Sequence, residues 1–319
     1  MEPVVDVVVL SWHRAECTVE AVRSVLAQEG VRPQVWIVDQ GSGPDTLTVL
    51  TELSRGSPAV HVTALDRNVG VPAGRNIGTA LGSAPVVVGL DNDAVLGDPH
   101  VLRNAMSCFD AAPCLGAVAF RILDATTGDD DRSSWVHPRF RSPAQSFPAA
   151  RFCGAAHALR RSAFDECKGY DGGLFFYWEE TDLCRRLLER GHEIRYVPSL
   201  TARHSRSPDA RFAWDNGRFY FCVRNRLYLE YCYGAAPGAL GLLALGYVLM
   251  GWRNHLAGQA VRGVGAALSL AVRRRHERPR TPLSARTRAY LREHEGVHGR
   301  GPRERTRALL ARLPDEPGG

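Results

Sequence analysis

The first 122 residues alternate between short β-branched runs and amphipathic segments, a rhythm that few folds accept. Residues 4–10 are apolar except for Asp6, like a parallel strand buried on both faces. Residues 18–28 then set Val19, Val22, Val25 and Leu26 on one helical face, and Gly30 follows as a stop. Further strands are predicted at 34–39, 60–65 and 86–90, with helices at 45–53 and 72–81 between them. Four strands alternating with three helices predict a doubly wound parallel sheet with right-handed crossovers. Ligands of such sheets gather beyond the carboxyl ends of the strands.

The rest of the chain is less regular. Residues 124–150 are polar and proline-rich and read as a long surface loop. A helix is expected at 180–190, a strand at 193–197, and helical structure beyond 208. Residues 237–252 are uncharged, but sixteen residues fall short of the roughly 20 that span a bilayer. There is no internal repeat. The 45% hydrophobic and 23% charged composition excludes a disordered or collagenous chain.

The net charge of +6 invites a nucleic-acid reading, yet its distribution argues against one. Residues 253–319 carry fifteen arginines and six acids, a net of +9, which leaves the first 252 residues at −3. The tail arginines are interrupted by Pro and Glu and lack interleaved aromatics, so no nucleic-acid partner is expected. The eight cysteines form no CxxC pair, which fits reduced, mostly buried thiols. Glu2 and Asp6 flank the first apolar run without a basic leader, so the expected location is cytoplasmic.

The strand ends carry the polar chemistry. Strand one ends in Ser11-Trp12-His13-Arg14, strand two in Asp39-Gln40-Gly41-Ser42, and strand four in Asp91-Asn92-Asp93. After strand three come Asn68-Val69-Gly70 and Gly74-Arg75-Asn76-Ile77-Gly78. All share one rim. Two carboxylates spaced i, i+2 suit an oxygen-ligated divalent ion whose shell phosphate oxygens complete, although a solvated turn contains the same pattern. Neither a Walker loop nor GxGxxG follows strand one, which argues against an ATPase and against a dinucleotide oxidoreductase.

These segments resemble glycosyltransferase family 2, of the GT-A fold. Phe152-Cys153-Gly154-Ala155-Ala156-His157 through Phe164, Gly169-Tyr170-Asp171, Leu174 through Cys184, and Val197-Pro198…Arg203-His204 extend the likeness. The ordered match covers residues 4 to about 206; beyond it only Arg224-Asn225-Arg226 is loosely similar. The resemblance implies a Rossmann-like nucleotide-sugar half at 1–123, an acceptor-binding catalytic half at 124–206, and a helical C-terminal extension with a basic tail at 207–319.

It further implies an inverting transfer of a hexosyl or deoxyhexosyl unit from a UDP-, dTDP- or GDP-sugar to a sugar-type acceptor hydroxyl, on a glycan, a lipid-linked glycan or a natural product, with Mn²⁺ or Mg²⁺. Ser11, Arg14, Asp39, Arg75, Asp91 and Asn92 fall at donor-binding positions, with Asp39 meeting the nucleobase. Asp93, Asp91 and His204 are the implied metal ligands. Glu180 stands at the base position, where members commonly carry Asp, with Glu179 and Asp182 in reserve; the same acids also suit a helix N-terminus. Tyr177 and Trp178 are expected to wall the acceptor. Two alternatives stay open: a catalytically silent binding or scaffold module, and a nucleotidyltransferase. The apolar stretch before the arginine-rich tail suggests peripheral contact with an anionic membrane face, and a buried helical hairpin with a solvated basic tail is the competing reading.

Overall fold

A computed structural model of the chain describes residues 2–205 and 214–295. One unit comprises Met1–Phe175 and Glu179–Arg206, and the other Phe176–Trp178 with Ser207–Gly319.

In the first unit, β1 (Val4–Ser11), β2 (Arg32–Gln40), β3 (Val60–Leu65) and β4 (Val86–Asp91) alternate with α1 (Ala15–Leu26), α2 (Pro44–Gly56) and α3 (Val71–Leu81). β1 lies between β2 and β4, with β3 outside β2, and all four are parallel. Val5, Val7, Val9, Val35, Ile37 and Val88 are fully buried, which explains the unbroken apolar runs. Each contributes roughly 1.5–3 kcal/mol on burial. Gly78 lets α3 approach the sheet, since a Cβ there would overlap Val8.

The sheet then departs from the parallel expectation. It continues through β5 (Ala94–Leu96), α4 (Val101–Ala111), β6 (Leu115–Asp124), β7 (Phe147–Pro148), β8 (Ala156–Arg160), α5 (Arg161–Glu166), α6 (Glu179–Glu189) and β9 (Glu193–His204). The strand order is β3-β2-β1-β4-β8-β6-β9-β5, with β7 paired to β9. β8 runs antiparallel to both β4 and β6. Its sequence, Ala-His-Ala-Leu-Arg, has no β-branched residue, so composition gave it no strand signal. β9 outruns the expected 193–197. Its pairing with β6 skips from Val197 to Thr201 around Pro198, which has no N–H to give the ladder, and then resumes as far as His204.

The 124–150 stretch is a loop, but its interior is packed rather than solvated. Trp135, His137, Phe147 and Tyr196 form an aromatic cluster with centroids 4.7–6.2 Å apart. Burial there pushes the His137 imidazole down to about 3, so it stays neutral. The chain reverses after β6 through Gly128, and Arg121 binds Asp130 at 2.7 Å. That turn delivers Asp131 to a buried position.

In the second unit a π-helical turn (Trp214–Arg218) leads into α7 (Phe219–Cys232), α8 (Pro237–Arg253), α9 (Ala257–Arg273) and α10 (Ala285–His294). Gly241, Gly246 and Gly251 make α8 intrinsically weak, yet it is continuous. Gly246 and Gly251 lie on its buried side, where a Cβ on Gly251 would crowd Ala260 of α9. Close packing offsets poor propensity. Among the described residues, no helix is long and apolar enough to cross a membrane.

Candidate functional site

The site begins where β4 ends. Asp91 closes that strand, and the chain turns through Asn92 and Asp93 into β5. β5 pairs antiparallel with the end of β9, Ala94 opposite His204, and Ser205 N donates to Asp93 O at 2.8 Å. Residues more than a hundred positions apart thereby share one corner. His204 Nε2 lies 3.4 Å from Asp93 Oδ1. Asp91, Asp93 and His204 can each offer one ligand atom, all within 4.8 Å of one another. Two carboxylate oxygens and an imidazole nitrogen fit Mn²⁺ or Mg²⁺ better than a softer metal, and no thiolate is among them.

A cation already faces this corner: Arg14 Nη1 donates to Asp93 Oδ2 at 2.9 Å. Burial raises the Asp93 pKa, but His204 and Arg14 more than reverse it, leaving the carboxyl below its ordinary range. Burial acts oppositely on His204 and is again outweighed, here by Asp131 and Asp93, which bring the ring up to about 10.

Behind the corner lies Arg75, almost wholly buried. Its Nη2 donates to Asp91 Oδ1 at 2.8 Å and to Gly154 O at 2.7 Å, and its Nη1 to Glu180 Oε1 at 3.1 Å. Burial lowers its proton affinity, but Tyr170, Asp91 and Glu180 raise it further, so the guanidinium stays charged. The arginine expected at a donor-binding position thus bridges two carboxylates and a carbonyl. A Cβ on Gly154 would overlap Glu180 Oε1, so glycine here leaves that carboxylate its place beside Arg75.

The three acids of α6 separate by environment. Glu180 keeps a partly exposed side chain beside Arg75. Glu179 is buried with Oε2 lacking any hydrogen-bond partner, and burial together with Glu180 holds its carboxyl well above the ordinary range. Asp182 is fully buried and binds Arg186 at 2.8 Å, while Arg186 also donates to the Cys167 and Gly169 carbonyls. All three do stand in the first helical turn, where acids are favoured.

On the nucleotide side, Asp39 is buried, with Oδ2 accepting from Ser42 N at 2.8 Å and Oδ1 from Ser42 Oγ at 2.6 Å. It holds the turn after β2, as a capping residue would. Ser11 and Asn92 are both buried and meet at Thr18, whose hydroxyl is 3.5 Å from Ser11 Oγ and 3.2 Å from Asn92 Nδ2. Asn68 Oδ1 accepts from Gly70 N. Gly70, at φ 87°, starts α3 where a Cβ would overlap Phe175.

Tyr177 and Trp178 belong to the second unit. Both have φ of 75°, a strained conformation for large side chains. Asn225, fully buried on α7, donates to the Phe176 and Tyr177 carbonyls at 2.7 and 2.8 Å, and Trp178 Nε1 donates to Cys222 O at 3.1 Å. The loose likeness around Arg224-Asn225-Arg226 thus falls on residues that hold this segment.

Sequence reasoning passed over Asp131, which lies 3.5 Å from His204 Nδ1. It sits in a polar stretch with two other aspartates at 129 and 130, so only the fold singles it out.

A parallel nucleotide-type half continued by a mixed half, with an Asp-x-Asp turn at the junction, defines the GT-A class of α/β folds, here followed by C-terminal helices. Residues 6–168, half of the chain, match the family model described as "Glycosyl transferase family 2", and the chain belongs to that family. The succinoglycan biosynthesis protein ExoO of Rhizobium meliloti (strain 1021) is 36% identical over 110 residues, covering 34% of this chain and 31% of that protein. The match thus spans about a third of that relative's length. Among solved structures, the mannosyltransferase PcManGT from Pyrobaculum calidifontis, in complex with GDP-Man and Mn²⁺, aligns with TM-score 0.59 and 19% identity. That alignment covers 97% of this chain and 84% of PcManGT. GalNAc-T7 with UDP, GalNAc and Mn²⁺ aligns with TM-score 0.62 and 14% identity, over 91% of this chain and 56% of that one.

Proposed function

We propose that this chain is an inverting, metal-dependent glycosyltransferase that moves a sugar from a nucleoside-diphosphate donor to an acceptor hydroxyl. The Asp91–Asp93–His204 corner, beside the Arg75-bound Glu180, carries the reading. Asp93, Asp91 and His204 would hold Mn²⁺ or Mg²⁺, which when bound neutralises the diphosphate and stabilises its departure. Asp39 accepts a nucleobase N–H through its remaining lone pairs, while Ser11 and Asn92 support the rim beneath it. Arg14 binds a donor oxygen on release from Asp93. Arg75 orients Glu180 and Asp91.

Glu180 serves as general base, taking the proton of the acceptor hydroxyl as it attacks the anomeric carbon. Glu179 stays protonated behind it, and Asp182 anchors α6. Tyr177 and Trp178 border the acceptor. In domain terms, residues 1–123 bind the donor, 124–206 complete the catalytic half, and 207–319 form the extension. The solved neighbours hold GDP-Man and UDP, which supports a GDP- or UDP-sugar donor, with a dTDP-sugar as the third class; the word succinoglycan in the name of ExoO supports a glycan acceptor over a lipid-linked glycan or a natural product.

We further propose that the extension rests on an anionic membrane face. Leu242, Leu245, Leu249 and Trp252 form one exposed stripe on α8, Trp252 at 75% exposure. Val261, Leu268 and Val272 form a second on α9, and the exposed Arg253, Arg262, Arg273 and Arg275 lie close by in sequence. Apolar side chains beside guanidinium groups match acyl chains below anionic headgroups.

Thermal shifts with UDP-, dTDP- and GDP-sugars, with and without Mn²⁺, test the core reading. One donor class should stabilise the wild type only with the metal, and Asp93→Ala should abolish that shift. A shift that persists in Asp93→Ala would remove Asp93 from the site.

A further inference from the structure

We propose that Asp131 is the positioning residue that fixes the His204 ring, tying the 124–150 loop to the cation corner. The inference rests on the reading of Asp91, Asp93 and His204 as that corner. Asp131 has a fully buried side chain. Its Oδ1 accepts from Ser133 N at 3.0 Å and Ser133 Oγ at 2.8 Å, and its Oδ2 accepts from Ser134 Oγ at 2.6 Å. The backbone is fixed as well: Asp131 N donates to Ile122 O at 3.0 Å, next to the Arg121–Asp130 pair. What this held carboxylate faces is His204 Nδ1, 3.5 Å from Oδ2.

The imidazole therefore lies between two carboxylates with different surroundings. Nε2 faces Asp93 in the corner, and Nδ1 faces Asp131 in the interior. His204 Nδ1 is buried and makes no hydrogen bond, and the negative charge of Asp131 3.5 Å away favours a proton on it. With Nδ1–H held in this way, the proton that the charged ring would give up to a metal is the one on Nε2, which leaves the Nε2 lone pair toward the corner. Histidine ligands generally donate their other N–H to a carboxylate or carbonyl, and loss of that partner weakens metal affinity by about 10–100-fold.

Asparagine at this position would reverse the tautomer. Ser133 N and Oγ need an acceptor, so they would keep the amide oxygen at the Oδ1 position. The amide NH₂ would then face His204 Nδ1 and donate to it, pushing the ring proton onto Nε2 and into the corner. The volume is unchanged, so the packing can be retained.

The test is a double-mutant cycle on Mn²⁺ affinity, measured with the full chain by electron paramagnetic resonance. Wild type should bind, and Asp131→Asn should bind about 10–100-fold more weakly. In a His204→Ala background the same substitution should change affinity little. An equal loss in both backgrounds would make Asp131 merely structural, and no loss in the wild-type background would overturn the inference too. Should wild type not bind Mn²⁺, or should Asp93→Ala and His204→Ala bind as wild type does, the cation corner itself fails, a distinguishable outcome. If Asp131→Asn does not fold, ¹⁵N spectra of Zn²⁺-saturated wild type report the tautomer directly. Nδ1–H is expected for His204, and Nε2–H would refute the proposal.

Discussion

Arg75 holds Glu180 from behind: its buried Nη1 lies 3.1 Å from Glu180 Oε1, while Nη2 of the same guanidinium binds Asp91 at 2.8 Å. One side chain thus couples the acid on α6 to the first carboxylate of the Asp-x-Asp turn. Replacing it takes away the cation that the two carboxylates share. Because both carboxylates are partly exposed and only the guanidinium is buried, Arg75→Met should destabilise the fold by about 1–3 kcal/mol, less than the cost of breaking a fully buried pair. Urea unfolding measures it, and a loss under 1 kcal/mol would show that solvent already screens these charges.

Glu180→Gln should keep metal-dependent donor binding and slow transfer by roughly 10²–10⁴-fold, the contribution of a positioned general base. Calorimetry with the nucleotide and Mn²⁺ gives the first quantity, and single-turnover assays the second. Transfer at the wild-type rate would move the base elsewhere on α6.

Glu179 should make stability depend on pH. Its folded-state pKa lies well above the ordinary 4.5, so folding keeps a proton that the unfolded chain releases. The stability is full below about pH 4.5 and falls as pH rises toward the folded value. Glu179→Gln should therefore leave unfolding at pH 4 nearly unchanged and raise stability at pH 8. Equal shifts at both pH values would count against a protonated Glu179.

The exposed stripes of α8 and α9 predict binding to vesicles containing phosphatidylglycerol and little binding to pure phosphatidylcholine. Leu245→Asp with Trp252→Asp removes two exposed anchors without touching the core, and should weaken sedimentation with the anionic vesicles by tenfold or more. Unchanged sedimentation would exclude this surface. Concentration-dependent dimers that the double variant abolishes would assign it to a second copy of the chain.

Much of the first half was legible because periodicity survives in one dimension. Val7, Val9, Ile37 and Val88 announce buried parallel strands by composition alone, and the polar ends of those strands follow from parallel topology. β8 gave no such sign, since its alanines are strand residues only because β4 and β6 enclose them. The same limit applies at the site. Asp91 and Asp93 lie two residues apart in sequence and could be paired by spacing, whereas Asp131 carries no local mark.

The sequence by itself determined the alternating scaffold, the carboxylate turn at the end of β4 and the family to which the chain belongs, because these depend on local pattern and order. Tertiary structure decided which charges meet. Pro198 breaks the β9 ladder, pairing resumes beyond it, and the displaced strand carries His204 to Asp93. Arg75 is buried among Asp91, Glu180 and Gly154, which come from three separate segments. Electrostatic energy depends on distances of a few ångströms and on exclusion of water, and both arise only once the strands are side by side.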